Sequence, residues 1–260
     1  MEKKQVLIAV KAYPNPSSKY GETVCCAGID METRKWIRLY PIPFRDLDAD
    51  QRFKKYSIIE VKCSKASDDK RPESYKIDFG SIEVREWWDT KDGWERRKSA
   101  ILPTLSRSMC DVSRLSEETD LSLALIKPHR IDFSWEKAGK KDNDKRNRCY
   151  AQLGFFDRKK DSIEPIPLNF HYTFSCEDEQ GCASHKLPII DWEIGEAYRT
   201  WRIRYPEEKL LLEKIKEQWL TRICSSKNDV YLFVGNMKRR RDIFMVLGVF
   251  YPPRIERFSS

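Results

Sequence analysis

The sequence lacks the glycine-rich loops that bind nucleotide cofactors. Its 260 residues include only 10 glycines, and neither G-x-x-x-x-G-K-[ST] nor G-x-G-x-x-G occurs. Glycine is needed in such loops because their backbone N–H groups must approach the phosphates closely. No G-x-S-x-G occurs either, and three histidines give few ways to build a hydrolase triad. The sequence therefore argues against P-loop enzymes, dinucleotide-dependent oxidoreductases and serine hydrolases.

Long apolar runs are also missing. The longest clean apolar stretch covers 243–251, whereas a membrane-spanning helix needs roughly 20 residues. A shorter run at 6–10 is interrupted by Lys11 and is too brief for the apolar part of a secretory signal. We therefore expect a cytoplasmic protein with no membrane partner, whose eight cysteines are reduced.

Hydrophobic patterning predicts a mixed fold. Apolar residues make up 40% of the chain and aromatic residues 12%, which is enough for a buried core. Strand patterns dominate the N-terminal quarter, two short helices follow Trp94, and a hairpin is predicted over 230–251. A single apolar stripe over 206–223 predicts one long helix. We expect an α+β fold: a twisted antiparallel, partly barrel-like sheet with several short helices and one long amphipathic helix.

The same patterns predict the domain organisation. We expect a single α+β domain over 1–260, which can be divided into three parts. The β-rich N-terminal part covers 1–80, a helical insertion covers 81–135, and a metal-binding and basic hairpin part covers 136–260.

A short cluster of metal-ligating residues is the clearest local motif. Cys176, Cys182 and His185 form C-x5-C-x2-H in a polar, turn-forming segment. Thiolate and imidazole ligands brought together by a tight loop suit tetrahedral Zn²⁺. The sequence therefore predicts a structural zinc site. We take Cys149 as the fourth ligand, with His171 and Cys224 as the alternatives that spacing leaves open.

Other interpretations of these residues remain. Cys149, Cys176, Cys182 and Cys224 can in principle hold an iron–sulfur cluster, although zinc is preferred because a histidine is present. A site with only three protein ligands and a water would be catalytic, and the nearby acids are Glu177, Asp191 and Glu193. Two reduced thiols and a surface histidine would need no metal. By contrast, Cys63 and Cys110 are expected to be small core residues.

Basic residues are concentrated in two places. The formal net charge is +8, and the basic segment 137–160 holds nine basic and three acidic residues. A second group of four cations is predicted at the hairpin tip over 238–241. With exposed aromatic residues such as Tyr40, Trp87 and Trp88, these cations predict binding to DNA or RNA, although a solvated loop or tip is the simpler explanation of each. The residues expected to contact phosphates are Lys145, Arg146, Arg148, Lys238, Arg239, Arg240 and Arg241.

Two further functions are open. Glu60 and Lys62 form an E-x-K at the end of an apolar strand, downstream of Asp48. This order resembles that of metal-dependent nucleases of the PD-(D/E)xK type, in which Asp48, Glu60 and Lys62 would be catalytic. A cross-strand ion pair explains the same pattern without any chemistry. The other alternative is a non-enzymatic subunit of a larger complex, which docks onto an acidic protein.

Overall fold

The computed structural model describes residues 1–13, 15–17, 21–139, 166–177 and 182–254. The strands in these residues are β1 (Glu2–Lys11), β2 (Asn15–Ser17), β3 (Gly21–Asp30), β4 (Trp36–Ile42), β5 (Ser57–Lys65), β6 (Ser74–Trp87), β7 (Leu123–Ile126), β8 (His129–Lys137), β9 (Leu168–Ser175), β10 (His185–Ile189), β11 (Tyr231–Met237) and β12 (Arg240–Phe250). The α-helices are α1 (Lys91–Ile101), α2 (Met109–Thr119), α3 (Trp192–Arg204) and α4 (Glu208–Lys216).

The N-terminal strands form a closed barrel. Their order is β1-β5-β6-β4-β3, and β3 pairs back onto β1, while β2 extends the edge beside β3. The pair β4 and β6 is parallel, and the other barrel pairs are antiparallel. This connectivity is that of the five-stranded Greek-key barrel known as the OB fold. Pairing of β1 with both β3 and β5 closes the barrel. Along β1, Val6 and Ile8 point into the barrel whereas Leu7 and Ala9 point outward.

The C-terminal strands form a second sheet with two buried faces. Its order is β7-β11-β12-β10-β9-β8, with β10 and β12 parallel. Leu123 and Leu125 of β7 pack against the barrel, whereas Ala124 and Ile126 pack on the other face, against the core that includes the helices. The protein is therefore layered in the order barrel, sheet and helices.

The α+β class and the barrel-like sheet are confirmed, but the sheet prediction needs two corrections. A second six-stranded sheet accompanies the barrel, and each sheet contains a parallel pair, so the structure is not purely antiparallel. In the second sheet the chain leaves β10, crosses through α3 and α4 to β11, and then turns back in a hairpin that places β12 parallel to β10. Within the described residues, no helix is long and apolar enough to cross a membrane.

The expected single long helix over 206–223 is not observed. Helix α4 ends at Lys216 and is followed by a π-helical turn, Glu217–Arg222. Here the Ile223 N–H donates to the Gln218 carbonyl (3.1 Å), and the Trp219 carbonyl accepts from the Tyr172 hydroxyl (2.7 Å). The wider turn therefore leaves the Trp219 carbonyl free to accept the hydrogen bond of the buried Tyr172. An apolar stripe in the sequence does not reveal such a turn.

A buried polar network joins the barrel to the second sheet. The Ser122 N–H and hydroxyl donate to the Glu73 carboxylate, at 3.0 and 2.8 Å. Arg38 Nη2 donates to the Ser122 carbonyl at 2.9 Å. All three residues are buried, so each of these polar groups depends on the others for its hydrogen bonds.

The close approach of β1 and β3 requires a glycine at position 28. A Cβ atom built there would overlap the Leu7 carbonyl oxygen, whereas one built at Gly80 meets only Asp78 Oδ1, at 3.4 Å. We expect Gly28→Ala to lower the free energy of unfolding by about 1–3 kcal/mol or more. The matched control Gly80→Ala should change it by no more than about 0.5 kcal/mol. Urea unfolding monitored by tryptophan fluorescence measures both, and a parental midpoint for Gly28→Ala would contradict the packing described.

Candidate functional site

Four potential metal ligands converge in what we call the metal group: Cys110, Cys176, Cys182 and His185. Their ligand atoms all lie within 4.8 Å of one another. His185 Nε2 is 3.4 Å from Cys110 Sγ and 3.5 Å from each of the other two sulfurs, and the Cys110 and Cys176 sulfurs are 3.8 Å apart. A tetrahedron with ordinary Zn–S and Zn–N bond lengths has edges of about 3.5–3.8 Å. The donor atoms therefore have the spacing that a tetrahedral ion requires.

Two parts of the fold supply these ligands. Cys176 follows β9, Cys182 precedes β10, and His185 is the first residue of β10. Cys110 comes from the first turn of α2, where Ser108 caps the helix by accepting from the Asp111 N–H (3.0 Å). The metal group thus fastens α2 to the β9–β10 connection.

Burial and hydrogen bonds shift the pKa values within the metal group. Burial raises the pKa of the Cys110 thiol to about 12, and hydrogen bonding with Cys176 adds to this. Backbone N–H groups of Cys176 and Ser184 lower the pKa of Cys182, and burial lowers the pKa of His185. The imidazole is therefore neutral at physiological pH, as ligation requires, and the crowded thiols need a positive ion in order to ionise together.

The fourth member of the metal group differs from the expectation. Cys110 was expected in the core, but its sulfur lies among the ligands. The preferred candidate, Cys149, lies outside the described residues. His171 instead faces Glu136 (Nε2 to Oε1, 3.6 Å), and the Cys224 thiol donates to the Trp219 carbonyl (3.3 Å).

The iron–sulfur alternative is less well supported. It requires Cys224 beside Cys176 and Cys182, but Cys224 is not part of the metal group. A metal ion held by three thiolates and one imidazole fits the observed donors better.

Glu60, the central residue of the nuclease alternative, is engaged in ion pairs. It lies on β5 opposite Gln5 of β1, whose side-chain amide donates to it (3.2 Å). Lys3 and Arg85 also contact its carboxylate, the latter at 2.7 Å. These hydrogen bonds, that of Lys3 first, lower the pKa of Glu60 to about 2. The geometry matches the cross-strand explanation given for the E-x-K pattern.

The other two nuclease candidates are exposed. Asp48 lies in the loop before β5, and Lys62 lies on β5 with its backbone N–H donating to Ser81 Oγ (2.9 Å). Among the described residues the metal group is the one cluster of three or more metal-ligating side chains. A nuclease site at these residues therefore stays a prediction.

Two of the acids near the metal motif have structural roles. The Asp191 side chain caps α3 by accepting from the Glu193 N–H (3.2 Å), so these acids begin a helix instead of continuing a strand. Lys55 binds both carboxylates, at 3.3 Å for Asp191 and 3.0 Å for Glu193. Asp191 is only 2% exposed, so this ion pair is buried at the junction of the barrel and α3.

The basic tip, residues 238–241, is largely paired with acids of this chain. Three of its four cations form ion pairs, which are Lys238–Asp68 (2.8 Å), Arg240–Asp242 (3.7 Å) and Arg241–Asp120. The mutual repulsion of these cations is thus partly relieved by acids of this chain, which reduces the need for an external anion. The other predicted phosphate contacts, Lys145, Arg146 and Arg148, lie outside the described residues.

A cleft of about 440 Å³, which we call the barrel cleft, opens where the barrel, α1, α3 and the end of β12 meet. Five aromatic residues line it, which are Tyr56, Trp87, Trp94, Trp192 and Tyr251. Trp87 is 49% exposed, and its indole N–H donates to the Lys55 carbonyl (3.1 Å). Tyr40 is exposed as expected, whereas Trp88 is buried.

Two buried cations distinguish the barrel cleft. Lys11 is 8% exposed, and its ammonium lies 3.5 Å from the ring centre of Phe44 and 4.6 Å from that of Trp192. Arg97 is 4% exposed and stacks 3.9 Å from the ring centre of Tyr56. In the part of the chain that the structure describes, neither cation forms an ion pair with a carboxylate. Burial lowers the pKa of each.

A second cleft, of about 310 Å³, lies between α3 and the α4–π-turn segment, and we call it the helix cleft. Trp201 and Tyr205 line it together with three cations, which are Arg204, Lys214 and Arg222. Glu217 pairs with Lys214 (2.8 Å) and Arg222 (2.6 Å), so this cleft is less positively charged than the number of its cations suggests.

Two family models match consecutive parts of the chain. Residues 2–103 match Domain of unknown function (DUF8758), and residues 105–260 match Domain of unknown function (DUF8757). No curated protein matches the chain. The first match covers the barrel and α1, and the second covers the second sheet and the metal group. The barrel cleft is lined by residues from both, while the predicted divisions at 80 and 135 stay predictions.

Cys110→Ser tests the composition of the metal group. Loss of one thiolate should weaken metal binding by at least about 100-fold, because four ligands share the ion. Co²⁺ titration checks this, since thiolate-to-cobalt absorption reports the number of bound sulfurs. Cys25→Ser is the matched control, because Cys25 is half-buried and lies outside the metal group. An unchanged cobalt spectrum and affinity for Cys110→Ser would exclude it as a ligand.

Proposed function

Because the chain belongs to the family described as Domain of unknown function (DUF8757), whose description gives no activity, we propose a function from the site geometry: a nucleic-acid-binding protein with a structural zinc site. The zinc would be held by Cys110, Cys176, Cys182 and His185. Binding would occur through phosphate contacts by cations and through stacking of bases on exposed rings.

Zinc is the best match to the metal group. Three sulfurs and one imidazole nitrogen at tetrahedral spacing form a Cys₃His donor set, which is typical of structural zinc. With four protein ligands no position is open for water, so a catalytic metal is disfavoured. When bound, the ion would neutralise the crowded thiolates and hold α2 against the β9–β10 connection.

One observation supports nucleic-acid binding above the others. Both clefts combine aromatic rings with cations: Trp87 and Trp94 with Lys11 in the barrel cleft, and Trp201 with Arg204 in the helix cleft. Single-stranded nucleic acids are bound by this combination, because rings stack on bases of any sequence while cations follow the backbone. The OB-type barrel is compatible with this role, but the fold alone does not establish it.

Two basic regions add positive charge to the chain. The basic segment 137–160 contributes an excess of six positive charges, from nine basic and three acidic residues. In the basic tip, Arg239 forms no ion pair with the residues that the structure describes. Long-range attraction of phosphates by these cations would speed association and make the affinity depend on salt.

We expect the chain to bind single-stranded DNA or RNA of about 20 nucleotides, with an affinity that falls steeply between 50 and 200 mM salt. Arg239→Gln combined with Arg240→Gln should weaken binding about 3- to 10-fold and reduce the salt slope by up to about 2. Fluorescence anisotropy measures both quantities. The control Arg34→Gln with Lys35→Gln removes the same charge from the exposed turn after β3 and should have a smaller effect.

Two results would replace this proposal. Failure to retain DNA or RNA at about 100 mM salt, together with stable co-purification of an acidic protein, would support the protein-docking alternative. Divalent-dependent cleavage of the probe that is lost in Glu60→Ala would support the nuclease alternative. The zinc assignment requires about one zinc per chain by elemental analysis of protein purified without chelator.

A further inference from the structure

The barrel cleft contains buried positive charge that the described part of the chain does not neutralise. A buried ammonium or guanidinium costs free energy unless a carboxylate or another anion compensates it. Aromatic faces and carbonyls compensate only in part: Lys11 donates to the Phe53 carbonyl at 3.4 Å, and Arg97 Nε donates to the Trp88 carbonyl at 3.0 Å. An anionic ligand would complete the site.

The charge of the lining favours an anionic ligand. Four cations line the cleft, which are Lys11, Lys54, Lys55 and Arg97. The one carboxylate among the lining residues, Glu193, pairs with Lys55, as does Asp191 behind it. Glu196 and Asp89 act on Lys11 and Arg97 without forming ion pairs with them. A phosphate monoester, which carries up to two negative charges near pH 7, would supply an anion at contact distance.

The rest of the lining favours an aromatic ligand. Trp87 and Trp94 present indole rings to the cleft, and Trp94 is anchored by Phe250 and Tyr251, with ring centres 5.7 and 5.1 Å away. A volume of about 440 Å³ lies in the range of small-molecule pockets. A flat base can stack on these rings while its phosphate contacts Lys11.

We infer that the barrel cleft binds one nucleotide, meaning an aromatic base that carries a terminal phosphate, and this inference rests on the nucleic-acid binding proposed above. Lys11 and Arg97 supply the charge for the phosphate, and Trp87 and Trp94 supply the stacking surface. The nucleotide can be a free nucleoside monophosphate or the 5′-phosphorylated end of a strand, since both present the same chemistry.

The test titrates the full chain with the four nucleoside 5′-monophosphates, in ribo and deoxy forms, and with the matching nucleosides. Tryptophan fluorescence and calorimetry measure binding. At least one monophosphate should bind with a Kd below about 1 mM, and its nucleoside at least tenfold more weakly. Lys11→Met should weaken monophosphate binding at least tenfold and leave nucleoside binding unchanged. Lys216→Met, at an exposed position of α4 that lines neither cleft, is the matched control and should bind like the parent.

A second variant keeps the inference testable if Lys11→Met does not fold. Trp87→Leu changes a half-exposed side chain, and it should weaken nucleosides and monophosphates alike because it removes a stacking surface. The absence of any monophosphate binding at 5 mM, or parental binding by a folded Lys11→Met, would overturn the inference.

Competition with oligonucleotides distinguishes a free nucleotide from a strand end as the ligand. It also distinguishes failure of this inference from failure of the proposed function. If strand ends are bound, a 5′-phosphorylated oligonucleotide will displace the monophosphate at lower concentration than its 5′-hydroxyl counterpart. If free nucleotides are bound, the two oligonucleotides will displace it equally. Salt-dependent oligonucleotide binding without any mononucleotide binding would leave the proposed function intact and reject the nucleotide pocket. Mononucleotide binding without oligonucleotide binding would support the nucleotide pocket and reject the proposed function.

Discussion

The buried ion pair between Lys55 and Asp191 ties the barrel to the segment between β10 and α3. Lys55 lies in the loop that leads into β5 of the barrel, whereas Asp191 ends the connection from β10 and caps α3. Burial by itself would lower the pKa of Lys55, but the attraction of Asp191 and Glu193 raises it, so the ammonium stays charged. Removing one partner of such a pair typically costs about 3–5 kcal/mol, because the other charge remains buried.

The barrel cleft depends on this arrangement. One wall comes from β1, the loop before β5 and α1, and the other comes from the start of α3 and the end of β12. Lys55 and Asp191 link these walls, and Lys11 lies between them among aromatic rings. The metal group lies elsewhere, between α2 and the β9–β10 connection, so the proposed zinc site and the cleft are separate parts of the fold.

Local patterns predicted much of the secondary structure and part of the site. Short apolar runs are enough to identify β1 and β5 as strands, and the ten-residue motif from Cys176 to His185 identified three ligands because they are close in sequence. Cys110 lies 66 residues before Cys176, and no spacing rule connects them. Its position in the first turn of a capped helix is compatible with ligation, but many buried cysteines share such a position.

The remaining features depend on tertiary contacts. The hydrogen bond from Tyr172 to the Trp219 carbonyl accompanies the π-helical turn, and neither residue signals it alone. Likewise, Lys11 is a lysine that interrupts an apolar run, and only packing against Phe44 and Trp192 shows that it is buried. Pairing of the basic tip with Asp68 and Asp120 requires segments that are far apart in the chain.

The apolar interface between the barrel and the second sheet bears on whether residues 2–103 and 105–260 can fold as separate proteins. Leu7 and Ala9 of the barrel share one buried cluster with Phe233 and Leu247 of the second sheet. Separated from each other, both regions would expose apolar surface of the kind that causes aggregation. A chain cut at residue 104 would thus need its two pieces to assemble as an obligate heterodimer, and a lone copy of either would require a substitute for the missing half.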